Sequence, residues 1–314
     1  MTTRILALSA FVATAVLSSA AAEYRGAQSE PKTVKLRTLS PGDIVYVLLG
    51  GGGNTLALMR DDGVVLIDTK RPGWGRPILD AIKAVSERPV RTIINTHAHA
   101  DHTGGNVEFP TVTQIVAHEN TKASMEKMEA FQGANARFLP NRIVSEKMSL
   151  LDGPDRIDLY YFGAGHTNGD LVVVLPAKRM AYFGDLFSAK AAPFIDTANG
   201  GSGVAFPQTL ARAVAEIKGV TRVVTGHEEG LDTQRSSSAV SVDTSTPRTM
   251  TWNDLQEYAD FNRDFLAVVQ ESFRTGKSAE EASATFMVSD RYKNYDMQRA
   301  KANIDAIYKE LNGK

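Results

Sequence analysis

Asn95-Thr96-His97-Ala98-His99-Ala100-Asp101-His102-Thr103-Gly104-Gly105 is the stretch on which the reading of this chain turns. Three of the chain's six histidines fall within it, and Asp101 sits among them. Imidazole nitrogens and carboxylate oxygens are zinc ligands, and alanine spacers let one tight loop aim several of them at a single point. A polar surface loop carries histidines singly; three with an aspartate at this spacing gain little unless a cation holds them. Gly104 and Gly105 let the backbone come close to whatever is bound. Before the loop, Pro89 precedes an apolar, β-branched run over residues 90–95. The loop therefore sits at the end of a strand, where α/β proteins place their sites.

Working outward, residues 44–49 read as a strand, the glycines at 50–53 as a tight reversal, and residues 55–59 as the returning strand. A turn at Asp61-Asp62-Gly63 leads to a buried strand over 64–67 that ends at Asp68. Pro77 marks a helix start, with Ile78, Ile82 and Val85 at helical spacing. Further strands are expected over 113–117, 157–162, 171–175, 180–183 and 222–225, and helices over 119–130 and 207–218. Very short turns join several strand pairs, so the sheets should be partly antiparallel and packed as an α/β sandwich. Residues 232–248 are rich in Ser and Thr and read as a loop. From Trp252 onward the pattern is helical, with one apolar face through Leu255, Tyr258, Phe265 and Val269 and another through Ala300, Ile304, Ile307 and Leu311.

His97-x-His99-x-Asp101-His102 resembles the signature of the metallo-β-lactamase superfamily, and further motifs follow in that family's order. His166 lies in Gly163-Ala164-Gly165-His166-Thr167-Asn168-Gly169-Asp170, Asp185 ends Tyr182-Phe183-Gly184-Asp185, and His227 follows Gly226. The resemblance runs from about residue 40 to 230. It implies a four-layer αββα sandwich over residues 41–231; composition and periodicity add a loop over 232–250 and a C-terminal helical extension over 251–314. It also implies two metals: His97, His99 and His166 on one, Asp101, His102 and His227 on the other, and Asp185 bridging. Asp68 matches a family aspartate that buttresses the metal loop from behind. His118 matches no ligand motif and reads as a core or cap histidine.

Two zinc ions side by side would share a water, lower its pKa towards neutrality and stabilise the oxyanion formed on a carbonyl. Asp101 is placed to be both ligand and catalytic proton shuttle. The expected reaction is hydrolysis of a β-lactam, lactone, ester or thioester. A thiolate-ligand β-lactamase is impossible, because the chain has no cysteine and Asp185 holds that position. Flavin-linked di-iron members usually carry glutamate where His99 stands, which weakens a redox reading. A phosphodiesterase or nuclease, an iron-dependent oxygenase, and a zinc-binding scaffold protein are the alternatives. For the substrate pocket, Pro72 with Trp74, residues 125–138 and residues 187–206 supply apolar side chains near the motifs, open between pocket wall and core. The C-terminal helices are open between lid and cover.

Thirty-five basic against thirty-six acidic residues give a net charge of −1, no field to recruit nucleic acid. The expected partner is a small-molecule substrate. Arg4, the short apolar run over 5–17 and Ala20-Ala21-Ala22 before Glu23 have the layout of a secretory signal peptide over residues 1–22. Residues 23–40 read as a polar tether. A periplasmic or secreted protein without a membrane anchor after cleavage is expected.

Overall fold

The computed structural model describes residues 34–39, 44–227, 242–243 and 249–313. Its strands form two sheets. The first contains β1 (Lys35–Thr38), β2 (Val45–Leu49), β3 (Thr55–Leu58), β4 (Val64–Ile67), β5 (Val90–Ile94), β6 (Gln114–His118), β7 (Arg142–Val144) and β13 (Val242–Asp243), in the order β13-β1-β2-β3-β4-β5-β6-β7. The second contains β8 (Lys147–Leu150), β9 (Ile157–Tyr161), β10 (Leu171–Leu175), β11 (Met180–Tyr182), β12 (Arg222–Val224) and β14 (Met250–Thr251), in the order β14-β12-β11-β10-β9-β8. Hairpins run antiparallel from β1 to β4, and β4, β5, β6 and β7 are parallel, so the sheet is mixed as the short turns require.

Alternation along the strands fixes the layers. In β10, Leu171, Val173 and Leu175 point between the sheets, while Val172 and Val174 join the cluster beneath the helices. In β4, Val65 and Ile67 face the partner sheet, and Val64 and Leu66 face outward onto Ile78, Ala81 and Ile82 of α1 (Gly75–Lys83). A strand buried on both faces reads as a continuous apolar run because neither side meets water. Each such Val or Leu contributes roughly 2 kcal/mol of burial, so these strands form a rigid platform for the loops at their ends. The outer face of the second sheet is covered by α4 (Phe206–Glu216), α5 (Trp252–Arg274) and α7 (Ala300–Leu311), with α6 (Ala279–Ala284) alongside. The result is the expected αββα sandwich with a helical C-terminal region. Two short helices remain, α2 (Ala100–Thr103) in the histidine loop and α3 (Glu119–Met125) after β6.

Several expectations need correction. The tether expected over 23–40 contains β1, which pairs with β2 and β13; Lys35 and Arg37 hide it, because the strand is short and carries charges while Leu36 is buried. The loop expected over 232–250 contributes β13 and the start of β14, since a sheet edge accepts even a two-residue strand. The helix expected over 119–130 stops at Met125 and gives way to a 3₁₀ turn at Glu129–Phe131. The strands β7 and β8 carry too few apolar residues to announce themselves. The proposed signal peptide lies outside the described residues. Among the described residues no helix is long and apolar enough to cross a membrane.

Candidate metal centre

Every motif residue stands at one edge of the sandwich. Asp68 follows β4, the histidine loop follows β5, His166 lies between β9 and β10, Asp185 follows β11, and His227 follows β12. The structure brings all seven candidate ligands together in two groups, His97, His99, His166 and Asp185 in one and Asp101, His102 and His227 in the other. Within each group the potential ligand atoms lie within 4.8 Å of one another. Asp185 reaches both: its carboxylate is 3.7 Å from His166 Nε2, 3.4 Å from His102 Nε2 and 3.3 Å from His227 Nε2.

The outer nitrogen of each of four rings is bonded to the protein. His97 Nδ1 meets Thr96 Oγ1 at 3.0 Å, His102 Nδ1 meets Asp68 Oδ2 at 2.7 Å, His99 Nε2 meets Asp196 Oδ2 at 2.6 Å, and His166 Nδ1 meets the Phe194 carbonyl at 2.7 Å. A nitrogen facing a carboxylate or carbonyl carries the proton, which leaves the inner nitrogens as lone-pair donors. Those inner nitrogens converge: His99 Nδ1 is 3.2 Å from His97 Nε2 and 2.9 Å from His166 Nε2. Three lone pairs cannot satisfy one another, and Asp185 Oδ1 is buried without a hydrogen-bond partner. A cation would satisfy both. The donor set, all imidazole and carboxylate, fits zinc by its chemistry.

Electrostatics agree. Burial pushes the His97 imidazolium well below its usual range and His166 down to about 4. Burial acts on His102 in the same direction, but the Asp185 and Asp68 carboxylates outweigh it and raise that ring to about 9. Asp185 is likewise opposed by burial and yet held well below the carboxylate range by His102 and His227. A pocket that favours positive charge beside Asp185 and disfavours it on the His97 and His166 rings suits a bound metal ion.

The support behind the loop is dense. Asp68 accepts from Thr96 N (2.8 Å), Thr96 Oγ1 (2.7 Å) and Tyr182 Oη (3.1 Å) besides meeting His102. These contacts hold Asp68 in a left-handed backbone conformation, φ 62°, that a non-glycine residue adopts only when its surroundings insist. Buried Lys70 donates to the carbonyls of Leu48 and Gly53, both at 2.8 Å, and so fixes the glycine reversal. A Cβ at Gly53 would lie 2.3 Å from the His102 ring, and one at Gly226 would lie 2.0 Å from Asp185 Oδ1. These glycines are there for close approach, one beneath each half of the centre.

Beside the centre opens a cavity of about 620 Å³. His99, Asp101, Asp185 and His227 form its floor, and Ser188, Ala189, Ala191, Ala192 and Phe194 one wall. Residues 187–206 thus contribute to the pocket as well as the core. Residues 125–138 do not: Met125, Phe131 and Phe138 are buried in the outer core. Trp74 packs over Gly51 and is also a structural residue. His118 caps α3, accepting from Asn120 N at 3.2 Å, and stacks on Tyr161. Asp196 is the functional candidate that sequence reasoning missed. Its only local signal was Asp196-x-x-Asn199, a capping turn in which Asp196 Oδ1 accepts from Ala198 N and Asn199 N.

The comparisons with known proteins follow this geometry. The model of the metallo-beta-lactamase superfamily matches residues 48–227. The alpha subunit of 2,4-dinitroanisole O-demethylase from Nocardioides sp. (strain JS1661) is 34% identical over 146 residues, which is 45% of this chain and 43% of that protein. The chain thus covers less than half the length of that relative. Hydroxyacylglutathione hydrolase from Crocosphaera subtropica is 27% identical over 212 residues, 64% of this chain and 70% of that one. Among solved structures, a metallo-beta-lactamase from Pontibacter korlensis superposes with a TM-score of 0.58 at 20% identity, covering 74% of this chain and 100% of its own. With more than half the sequence matched and the His/Asp cluster assembled at the sheet edge, this chain belongs to the metallo-beta-lactamase superfamily.

Proposed function

We propose that this chain is an exported, dinuclear zinc hydrolase that cleaves a carbonyl-centred bond in a small molecule. The observation that carries the reading is the pair of ligand groups joined by Asp185 on the floor of the cavity. Bound there, two zinc ions would supply Lewis acidity, lowering the pKa of water and polarising a carbonyl oxygen. His97, His99 and His166 would hold one ion, Asp101, His102 and His227 the other, and Asp185 both.

The protein supplies orientation and proton handling. The bonds from Thr96, Asp68, Asp196 and the Phe194 carbonyl fix the ring orientations, so the donor atoms need little rearrangement on binding. Asp101 lines the cavity with its side chain 23% exposed, within reach of both substrate and solvent. There it can take a proton from the attacking water and return it to the leaving group. The Ala and Phe wall excludes water from part of the substrate. The near-zero net charge favours a small molecule over a nucleic acid.

The test is turnover by the zinc-loaded protein, with and without chelator. The panel is a chromogenic cephalosporin, an acyl-homoserine lactone, a thioester, a phosphodiester and 2,4-dinitroanisole. Chelator-sensitive cleavage of one carbonyl substrate is expected. Turnover confined to the phosphodiester or the anisole would overturn the carbonyl assignment. No turnover by the metal-loaded chain would overturn the activity on all these bonds. Export is tested separately by N-terminal sequencing of protein recovered outside the cytoplasm, with Glu23 expected first.

A further inference from the structure

The wall opposite in chemistry to the alanines is cationic. Arg71 and Arg299 line the same cavity as His99, Asp101, Asp185 and His227. Both are exposed, and among the described residues neither guanidinium has a carboxylate partner. Several other exposed arginines are paired with carboxylates, although Arg91 and Arg179 meet only carbonyls. Arg76 pairs with Asp80, Arg156 with Asp158, Arg263 with Asp260 and Asp264, and Arg274 with Glu271.

Arg71 and Arg299 are also held beside the centre. A side chain at Gly52 would meet both Asp101 Cβ and Arg71 Cγ, so the Arg71 stem rises next to a ligand residue. The Arg299 guanidinium lies 5.6 Å from the centroid of the Phe194 ring, which itself stacks on His99 at 5.8 Å. One aromatic ring therefore separates this charge from a ligand histidine. Arg299 directly precedes α7, and its segment is tied to the wall by the Ala191–Asp296 bridge, with Ala192 N donating to Asp296 O at 2.7 Å. Asp296 also lines the cavity, but its carboxylate accepts from Gln298 N at 2.8 Å and so caps its own turn.

Building on the hydrolase reading, we propose that Arg71 and Arg299 select a substrate bearing an anionic group, such as a carboxylate, next to the carbonyl that is cleaved. Guanidinium stays charged at any working pH and presents a planar fork of donors that matches a carboxylate. The C-terminal region then acts in specificity, because Arg299 comes from it.

The experiment compares kcat/KM of the zinc-loaded full chain for 4-nitrophenyl hydrogen succinate and 4-nitrophenyl acetate, which share a leaving group and differ by one carboxymethyl group. The wild type is expected to prefer the succinate. Arg299→Gln and Arg71→Gln should each cut that preference on the order of tenfold, through KM, while Arg299→Lys retains part of it. The preference should also shrink as salt rises. In parallel, calorimetry reads binding of succinanilic acid against acetanilide, which needs no turnover. Preferential binding of the acid, lost in the Gln variants, with both esters inert would sustain the cationic wall and sink the hydrolase reading. Hydrolysis of both esters at one ratio in wild type and variants would overturn the wall and leave the hydrolase standing. Equal or absent binding of the two anilides would also overturn the wall.

Discussion

The histidine loop, residues 95–105, and the cavity wall, residues 188–203, meet at His99 but are built on opposite principles. The loop is held from within the sandwich. Its backbone hangs on Asp68, its ring His102 fits against Gly53, and Leu171 N donates to Thr96 O across the two sheets at 2.8 Å. The wall is held from outside. Lys190 pairs with Asp254 at 2.7 Å and with Glu257 at 3.4 Å on α5, Ala191 bridges to Asp296, and Glu310 of α7 accepts from Ser202 Oγ and Gly203 N. In the proposed hydrolase, metal holding is thus local and rigid, and substrate selection would fall to a segment that the C-terminal helices fasten. The difference separates what fixes the chemistry from what fixes its target.

Substitutions in the two regions should differ in kind as well as size. His102→Ala removes a ligand of one group and the Asp68 pairing together, so hydrolysis should fall by at least about a hundredfold, measured as kcat/KM at saturating zinc. Retained activity would break the assignment of the loop. Asp68→Ala leaves buried Thr96 N and His102 Nδ1 without their acceptor. It should cost about 3 kcal/mol in a urea unfolding curve as well as metal affinity. Asp196→Ala strikes the wall's side-chain link to His99, leaving the Phe194 carbonyl on His166. With His99 Nε2 unpaired, zinc affinity should fall roughly tenfold to a hundredfold, which a chelator competition titration reads, while the lost cap on Ala198 N and Asn199 N costs about 1 kcal/mol of stability. Glu310→Ala loosens the wall from α7 without touching a ligand. It should cost about 1 kcal/mol of stability and change substrate preference while zinc content holds.

The smallest effect concerns acid. Asp254 is opposed by burial, yet Lys190 and Thr251 hold its carboxyl at about 2 in the folded chain, below its ordinary 3.8. A carboxyl with a lowered folded-state pKa stabilises fully above its unfolded value, and that contribution fades as the pH falls through about 2. The melting temperature of wild type should therefore converge on that of Asp254→Asn as pH drops from about 5 towards 2. A constant gap between the two would show that the Lys190 link does not depend on this charge.

The same contrast explains what the sequence discloses. Ligands of the loop are legible because four of them lie within six residues, and spacing alone puts them on one turn. His166, Asp185 and His227 are legible through glycine flanks and strand ends, although only folding brings them to His102 and His99. The two-faced burial of β4 and β10 shows as unbroken Val and Leu runs. Asp196 was not legible, because its partner His99 is 97 positions away and its local pattern is an ordinary capping turn. Arg299 was not legible either: a charged residue before a helix reads as solvated surface until Phe194 is placed beneath it. The strand β1 was hidden for a related reason, since its pairing with β13 joins segments about two hundred residues apart.

The central claim is that the two ligand groups form one dinuclear centre, and elemental analysis of the purified chain after zinc loading and exhaustive dialysis tests it most directly. About two zinc ions per chain are expected, falling to about one in Asp101→Ala, which removes a ligand from one group only. A chain that retains no zinc, or holds the same amount with and without Asp101, would contradict the account.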